Sequence, residues 1–452
     1  MPLRVAFCLL VTVLAHAAEN DVVLRVGAAK ADITPGTDVL NWVTGKPYGA
    51  VLDPLFLHAL VLDDGRTKAV IIRWDLVDVS ESARDEVRKA VGAALAMPGE
   101  NILVNASHSH SAPWAPVYRE GDRGKERDTW WAIRYMPAQN DFPPFRRWME
   151  RLIAASVEAA RGAAAAARPA TLAIGRIAVH EYLHNRRPRA PTWGLAETKP
   201  VPAINYGHPD WNPEVQPGGA AFGPMDRTLA ILSFRDAGNR TIATVFHASC
   251  HSVSIYPSNP AISADWPGPT AVAMSAAFGG ESLFLQGCCG DINPWRRGAA
   301  AVAEMAAGFT KRARIAAQYA VKLKAMPLQV GRVTVALPLT PAAKERVGAD
   351  TVAAEIQAIV CGSLAVVTLP GEPMTELGMA IRERSPFPQT LVLGYSNGNG
   401  VHYVGMPGEK ARGGYEAGVA GAGTDECGAM LVDAANKLLR DVFARSGYRT
   451  KP

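Results

Sequence analysis

Two histidines stand two positions apart in the run ILVNASHSHSAP, as His108 and His110, directly after an apolar stretch. Alternate residues of an extended chain lie on one face, and in a loop two histidines at this spacing can point at one centre. The pair alone is more typical of hydrogen-bonded structure than of a metal site. It gains weight from His251, Glu372 and Tyr403, which follow other apolar stretches. Together these nitrogen and oxygen donors form a ligand set that suits Zn²⁺.

The elements that must position these residues share one feature, a polar cluster at the end of an apolar strand. Such clusters occupy 102–113, 244–254, 283–294, 366–373 and 391–403. Open α/β sheets bind ligands beyond the carboxyl ends of their strands, where loops from separate strands converge. The pattern therefore predicts one common site. Strand-like and helix-like stretches alternate throughout, which predicts an α/β fold with a mixed, largely parallel sheet core flanked by helices.

Local signals define several elements. Asp63-Asp64-Gly65 predicts the turn of a hairpin between two apolar runs, 59–62 and 69–74. Ser80 and Ser82 are candidate N-caps of a helix that runs to about Ala96. Because a short buried strand at 102–104 follows, this part predicts a βαβ unit with a parallel pair. Further helices are expected at 144–167, 268–278, 301–323, 373–384 and 427–445.

The chain has 452 residues, 48% of them hydrophobic, and a formal charge of +5. Residues 1–18 carry Arg4, an apolar run and a small-residue end, which indicates a secretory signal. We therefore expect a secreted or periplasmic protein with a single domain over 19–452. No dense basic run with interleaved aromatics suggests nucleic acid as a partner. Nothing indicates an obligate protein partner, and peripheral contact with a membrane stays open.

Five cysteines remain beyond the signal, and none forms a CxxC pair, which argues against a cysteine zinc cage. Buried packing is the expected role of each thiol. A disulfide between Cys250 and either Cys288 or Cys289 remains an alternative.

A set of short motifs, ordered along almost the whole mature chain, resembles the neutral ceramidase family. These motifs are GAAKADITP at 27–35, ASHSHSAP at 106–113, HNRRP at 184–188, CHSVSIYPSNPAISADWPG at 250–268, GDINP at 290–294, LPGEPMT at 369–375, and SNGNGVHYVGMPGE with GGYEAG within 396–418. The chain ends soon after the last motif, so the resemblance covers the catalytic domain and not the family's C-terminal immunoglobulin-like domain.

The resemblance implies that one zinc ion is held by four residues of this chain: His108, His251, Glu372 and Tyr403. His402 is a substitute for Tyr403, because the loop after Asn397 is one residue longer than the family pattern. His110 corresponds to a histidine that faces the substrate. Arg186 matches an arginine that contacts the substrate, with a solvated loop charge as the alternative.

One departure concerns the motif in which ceramidases carry an active serine, where this chain has Asn293. Asn293 cannot be a hydroxyl nucleophile, but its amide can donate to a developing oxyanion. The family activity implies attack by a zinc-activated water on an amide such as that of ceramide. In that mechanism Tyr403 or His110 stabilises the oxyanion. Asp75 and Asp265 are candidates to orient a ligand histidine, or alternatively to cap loops.

Three functions compete. The first is a ceramidase with an apolar groove, for which Trp114, Trp130, Trp131 and Trp266 are candidate linings, and residues 115–145 a candidate lid. The second is a zinc hydrolase of another amide, ester or glycan-derived substrate, which the change to Asn293 favours. The third, a binding protein without activity, conflicts with the retained ligand set. Small-molecule or lipid substrates are thus the expected partners.

Overall fold

The computed structural model of the chain describes residues 22–119, 141–187, 223–256 and 259–449. Its α-helices are α1 (Glu81–Leu95), α2 (Pro143–Ala165), α3 (Pro267–Phe278), α4 (Ala299–Gln318), α5 (Pro341–Val347), α6 (Thr375–Arg384) and α7 (Cys427–Arg445). A short 3₁₀ helix spans Gly99–Asn101 and a π-helix spans Tyr415–Ala420.

Three larger sheets contain most of the strands. The first has the order β4-β3-β2-β1-β5, with β1 (Arg25–Asp32), β2 (Phe56–Asp63), β3 (Lys68–Trp74), β4 (Ile102–Ala106) and β5 (Arg168–Pro169). The second has the order β10-β9-β8-β6-β12, with β6 (Thr171–Ala178), β8 (Thr228–Arg235), β9 (Thr241–Ala248), β10 (Glu281–Gln286) and β12 (Val321–Leu323).

The third sheet has the order β13-β14-β15-β17, with β13 (Gln329–Pro338), β14 (Thr351–Cys361), β15 (Leu364–Thr368) and β17 (Gln389–Leu393). Two small ladders complete the fold. One pairs β7 (Leu183–Asn185) with β11 (Ile292–Pro294), and the other pairs β16 (Glu372–Pro373) with β18 (Tyr403–Val404).

The alternation of side chains across each strand explains how these sheets stack. Val70 and Ile72 of β3 join a core that α2 and α4 cover, whereas Ile71 of the same strand faces a second core. That second core also takes in residues of the other two larger sheets, such as Leu232 of β8 and Val366 of β15. Successive side chains of a strand point to opposite faces, so an apolar run without polar breaks is buried on both sides. The three sheets therefore share a central core.

The predicted α/β class and its local units are confirmed. β2 and β3 pair antiparallel around the Asp63-Asp64-Gly65 turn, and β3, α1 and β4 form the parallel βαβ unit. Ser80 is the N-cap, because its hydroxyl accepts a hydrogen bond from the Ala83 N–H at 3.1 Å. Ser82 instead lies inside the helix as its second residue.

The expected predominance of parallel pairing is wrong. Parallel pairs are limited to β3–β4, β9–β10, β15–β17 and β16–β18 among the described strands, and the remaining ladders are antiparallel. Short connections explain the difference, since the four residues between β2 and β3 can join strands only as a hairpin.

Several sequence predictions fall on particular parts of the chain. The signal at 1–18, most of the 115–145 lid candidate, Trp130 and Trp131 lie outside the described residues. The five cysteines beyond the signal are all free and buried, which agrees with a packing role. No helix of the described part is long and apolar enough to cross a membrane.

Candidate metal centre

Three of the four residues proposed as ligands meet at one place because each follows a strand of a different larger sheet. His108 lies beyond β4 of the first sheet and His251 beyond β9 of the second. Glu372 lies beyond β15 of the third sheet, and in the β16–β18 ladder it stands directly opposite Tyr403. The carboxyl ends of strands from three sheets thus point their loops at a common centre, as the sequence pattern predicts.

Backbone contacts fix these loops against one another. The His110 N–H donates to the Ser252 carbonyl at 3.1 Å, and Ser109 and Ser252 form a parallel bridge. His108 has a φ of 61°, and Tyr395 and His402 nearby have φ values of 49° and 63°, all in the left-handed region. For residues other than glycine this conformation costs roughly 1–2 kcal/mol each. Such strain persists only where the surroundings determine the conformation, and it clusters at functional sites.

The centre itself is a carboxylate oxygen surrounded by imidazole nitrogens. Glu372 Oε2 lies 3.2 Å from His108 Nε2 and 3.2 Å from His251 Nε2. His110 Nε2 lies 3.0 Å from His108 Nε2. One nitrogen from each of the three histidines falls within 4.8 Å of the others, which is a group that can hold a metal ion. His108, His251 and Glu372 are buried, and His110 is partly exposed.

Main-chain carbonyls orient the two buried histidines. His108 Nδ1 lies 2.5 Å from the Val77 carbonyl oxygen, and His251 Nδ1 lies 2.6 Å from that of Cys289. A carbonyl oxygen can only accept, so each Nδ1 must carry the proton, which leaves each Nε2 with a lone pair. Two lone pairs therefore face the Glu372 carboxylate, and this arrangement of acceptors calls for a cation between them.

The protonation states favour the same conclusion. Burial and the neighbouring Arg186 lower the pKa of His251 to about 3, so its imidazole is neutral near pH 7. Burial also holds the pKa of His110 well below its ordinary value. Burial raises the pKa of Glu372, but the imidazoles of His108, His251 and His402 around the carboxylate outweigh burial and keep its pKa well below the usual range.

Tyr403 borders the centre and is held by Arg186. Its hydroxyl lies 3.4 Å from His251 Nε2, and Arg186 Nη2 donates to it at 2.9 Å. The same Nη2 donates to the Gly290 carbonyl, and Arg186 Nε pairs with Glu416 Oε1 at 2.6 Å. Arg186 is thus a buried anchor and not a solvated loop charge. Its contact with substrate stays a prediction.

His402, the substitute for Tyr403, lies on the other side of the carboxylate. Its Nε2 is 3.6 Å from Glu372 Oε1, whereas the Tyr403 hydroxyl adjoins the nitrogen of His251. Both residues therefore adjoin the centre. The Tyr403 hydroxyl is the one directed at His251.

Asn293 lies on β11, opposite His184 of β7. Its side chain is buried, and its Oδ1 has no hydrogen-bond partner among the described residues. The carbonyl of the preceding residue, Ile292, accepts from the His251 N–H at 2.9 Å and lies 3.1 Å from His251 Nδ1. Asn293 is thus one residue away from a group that orients a candidate ligand.

The two aspartates considered as orienting groups have another role. Asp75 accepts the Phe56 N–H at 3.0 Å and pairs with Arg73 at 2.6 Å. Asp265 accepts the backbone N–H groups of residues 254–255 at 3.0 and 2.7 Å. Both carboxylates cap loops, and carbonyl oxygens orient the histidines in their place. The groove candidate Trp266 is likewise fully buried core, with its Nε1 donating to the His251 carbonyl.

Tyr395 is part of the site although the sequence analysis did not select it. Its hydroxyl lies 3.4 Å from Glu372 Oε2 and accepts from the Cys289 thiol at 3.1 Å. Its ring packs on His108 with 4.1 Å between centroids. The signal was available, since Tyr395 stands in the polar cluster of 391–403 from which only Tyr403 and His402 were chosen.

The stacked mixed sheets have the fold of the neutral ceramidases, as the motifs predict. The chain is similar to the crystal structure of neutral ceramidase from Pseudomonas aeruginosa, with a TM-score of 0.72 and 16% identity over 96% of this chain and 76% of that one. It is similar to a solved "Ceramidase complexed with C2", with a TM-score of 0.71 and 16% identity over 96% and 77% of the two chains. No protein-family model and no curated protein matches the sequence. At this identity the likeness shows the fold.

Proposed function

We propose that the chain is a zinc-dependent hydrolase of N-acyl amide bonds, similar in activity to the neutral ceramidases whose fold it shares. The observation that supports this most is the convergence of the His108 and His251 lone pairs on the Glu372 carboxylate. Buried acceptors facing one another repel unless a cation lies between them. The two imidazoles and the carboxylate, with the Tyr403 phenol beside them, are donors that Zn²⁺ prefers.

His108, His251, Glu372 and Tyr403 would hold the ion. Bound there, zinc supplies a Lewis acid that activates water and polarises a carbonyl at neutral pH. The chain's own residues then perform the remaining work. Carbonyl oxygens keep the histidine Nε2 atoms directed inward, and Arg186 keeps the Tyr403 hydroxyl beside His251.

His110 and Asn293 are the candidates for proton transfer and charge stabilisation. His110 is neutral near pH 7 because its pKa is lowered, so its imidazole can accept a proton from the attacking side and return it to the leaving amine. The Asn293 amide can donate to the oxyanion that forms at the carbonyl, as asparagine does in other acyl-transfer sites. Replacing a serine hydroxyl by Asn293 leaves no protein nucleophile in this motif.

That replacement also favours a second candidate within the same class, a zinc hydrolase of a different amide, an ester or a glycan-derived substrate. A site with a different polar group and different pocket walls selects a different acyl or amine group. Both candidate functions share the expectation that the protein is exported through the predicted signal. Cell fractionation tests this by locating the protein outside the cytoplasm.

Metal analysis combined with turnover tests the proposal. Purified protein should contain about one zinc per chain by mass spectrometry and should hydrolyse members of a panel of N-acyl amines. The variant His251→Ala should lose the zinc and the activity together. The matched control is His247→Gln, a buried histidine at the end of the same strand, β9, whose Nδ1 faces the Leu285 carbonyl and not the centre. It should keep both.

Full hydrolysis by metal-free protein would refute the zinc mechanism. Zinc binding without hydrolysis of any amide or ester would favour a binding protein. Hydrolysis confined to N-acylsphingosines would select the ceramidase over its alternatives.

A further inference from the structure

One buried side chain joins the two loops that carry the candidate histidine ligands. Gln286 is the last residue of β10 and is fully buried. Its Nε2 donates to the Ser107 carbonyl at 3.0 Å and to the Cys250 carbonyl at 2.8 Å, and its Oε1 accepts from the Cys250 N–H at 3.3 Å. Ser107 directly precedes His108, and Cys250 directly precedes His251. A single carboxamide thus spans the main chain beside both histidines.

The shape of this carboxamide determines how far apart the two loops lie. Two carbonyl oxygens that accept from the same amide nitrogen have a separation set by its two N–H directions. Both acceptors are main-chain atoms, so they move only with the loops that carry the histidines. The Gln286 amide uses both donors and its acceptor, and a buried polar group that is fully paired holds one geometry. The separation of the His108 and His251 loops is therefore defined by Gln286.

A second buried amide fixes the main chain of Gln286. Asn105 Oδ1 accepts from the Gln286 main-chain N–H at 3.1 Å, and Asn105 Nδ2 donates to the Gly394 carbonyl at 2.9 Å and to Ser396 Oγ at 3.0 Å. The Gly394 N–H donates to the Gln286 carbonyl at 3.2 Å. Asn105 lies on β4, Gln286 on β10, and Gly394 follows β17, so these bonds join strand ends of all three larger sheets. Gln286 is thus held at both of its main-chain groups.

The Gln286 amide contributes direction more than stability. A buried amide exchanges its bonds to water for bonds within the protein, so its net gain in stability is small. Hydrogen bonds act over a narrow range of distance and angle, whereas apolar contacts have no preferred direction. Direction matters at a metal centre, because the ligands must be held to within about 0.5 Å of the geometry that binds the ion. A fully paired glutamine beside two ligand loops is therefore suited to setting their positions.

We propose that Gln286 is a positioning residue of the metal centre and sets the separation of His108 and His251. The proposal rests on the proposed zinc-dependent function, since it assigns Gln286 a role toward the same ion. Gln286 acts through the main chain of Ser107 and Cys250 and is not itself a ligand. Its loss should therefore change how the ion is held, and not only the stability of the fold.

Gln286→Met tests this role with a side chain of similar length that has no amide. The variant should bind zinc about tenfold more weakly in competition with a chromophoric chelator, a loss typical of residues that orient metal ligands from outside the coordination sphere. Cobalt(II) gives a second readout, because its visible absorption depends on coordination geometry. The spectrum of the Co²⁺-loaded variant should differ from that of the Co²⁺-loaded wild-type protein in band position and intensity.

Gln357→Met is the matched control. Gln357 is also a fully buried glutamine on a strand, β14. Its Oε1 accepts from Arg88 and Asn397, and its Nε2 donates to the Glu100 carbonyl, so its amide is paired but joins no residue next to a candidate ligand. Both substitutions should lower the melting temperature. Gln357→Met should nevertheless keep the zinc affinity and the cobalt spectrum of the wild-type protein.

Gln286→Glu serves as a second variant if Gln286→Met does not fold. It keeps the length of the side chain and an acceptor for the Cys250 N–H, but a carboxyl group has at most one hydrogen to donate. It cannot donate to the Ser107 and Cys250 carbonyls together, so zinc affinity and the cobalt spectrum should shift in the same direction as in the methionine variant. Wild-type affinity and an unaltered spectrum in the folded variant would overturn the positioning role.

The result can be distinguished from that of the proposed function, because none of these measurements requires turnover. If the wild-type protein binds zinc and hydrolyses amides while the Gln286 variants match it in zinc affinity and cobalt spectrum, only the positioning role fails. If it binds zinc without hydrolysis and the Gln286 variants bind more weakly, the positioning role stands and the hydrolase proposal fails. A wild-type protein that binds neither zinc nor cobalt refutes both.

Discussion

The hydroxyl of Tyr395 donates a hydrogen bond to the candidate ligand Glu372. It lies 3.4 Å from Glu372 Oε2 and accepts a hydrogen bond from the Cys289 thiol. The main-chain carbonyl of Cys289 in turn orients His251. Groups that support metal ligands in this way typically contribute 10- to 100-fold to metal affinity. We therefore expect Tyr395→Phe to weaken zinc binding about tenfold, measured by competition with a chromophoric chelator.

Tyr48→Phe is a suitable control for that substitution. Tyr48 is also a buried tyrosine, and its hydroxyl has no hydrogen-bond partner among the described residues. Its loss should leave zinc affinity unchanged. Equal affinity of Tyr395→Phe and the wild-type protein would show that the phenol does not support the centre.

Asn293 allows a kinetic test of the oxyanion role. Its amide is buried beside the group that orients His251, so removal should affect the transition state more than the bound substrate. Asn293→Ala should lower kcat by about 10²- to 10³-fold with little change in KM, the loss seen when an oxyanion donor is removed. Steady-state kinetics on the panel amide that the wild-type protein hydrolyses fastest gives both kcat and KM. Asn436→Ala, in α7 and remote from the centre, is the control, and a change confined to KM would contradict the role.

The candidate ligand side chains can be predicted from the sequence more readily than the groups that orient them. His108, His251 and Glu372 are predictable because each follows an apolar strand with a residue type that binds metals. The carbonyls of Val77 and Cys289 are not predictable, since every residue has a carbonyl and only the folded path directs one at an imidazole. Residue type favours Asp75 and Asp265 as the groups that orient the histidines. This prediction fails because only the folded path of the chain determines which acceptor faces an imidazole.

Elements with sharp end signals are predicted well, and those that depend on distant partners are not. The helix at 427–445 and the Ser80 N-cap agree with the structure. The helix predicted over 301–323 ends instead at Gln318, because Val321–Leu323 pairs with the edge strand β6. The sequence does not predict β14, since its burial alternates only at its start and is continuous afterwards, so neither the helical nor the strand period dominates the segment.

The π-helix at Tyr415–Ala420 is tied to the site by an ion-pair network. Arg187 bonds both Glu409 and Glu416, each at 2.9 Å, and Glu416 also pairs with Arg186, which holds Tyr403. Removing one member of a buried pair leaves uncompensated charge and costs about 3–5 kcal/mol. Arg187→Met should therefore lower the free energy of unfolding by about that amount in urea titrations, and should lower activity.

An exposed ion pair provides the comparison. Arg384 and Asp433 lie 3.4 Å apart with side chains 56% and 76% exposed. Pairs of this kind contribute at most about 1 kcal/mol. Arg384→Met should thus leave stability and activity nearly unchanged, and a similar small effect of Arg187→Met would mean that the network is not needed to hold the π-helix.

For the molecule as a whole, the site lies where three sheets meet. Each larger sheet contributes a face to the central core and one strand end to the centre, through His108, His251 and Glu372. The sequence predicts the convergence, because strand ends with polar clusters imply a shared edge. It does not predict that three stacked sheets provide this shared edge. The pairing of β6 with β8, for example, joins strands that residues 179–227 separate, and nothing in the two strands specifies the partner.

Buried neutral histidines should also make the whole fold sensitive to acid, and His247 isolates one contribution. Burial lowers its pKa to about 4, against about 6.5 in an unfolded chain. As the pH falls from 6.5 towards 4, the unfolded state binds a proton at His247 and the folded state does not. The free energy of unfolding therefore falls over that pH range. At 1.36 kcal/mol per pH unit, the wild-type protein should lose about 3 kcal/mol of stability from this residue between pH 7 and pH 4.

His247→Gln lacks this loss, so the difference in free energy of unfolding between the two proteins, measured by urea titration at each pH, should shift by that amount in favour of the variant at pH 4. Taking the difference cancels the opposing contributions of Asp53 and Asp291, whose raised pKa values of about 6 are common to both proteins. A pH-independent difference would show that burial does not lower the pKa of His247 in the folded protein.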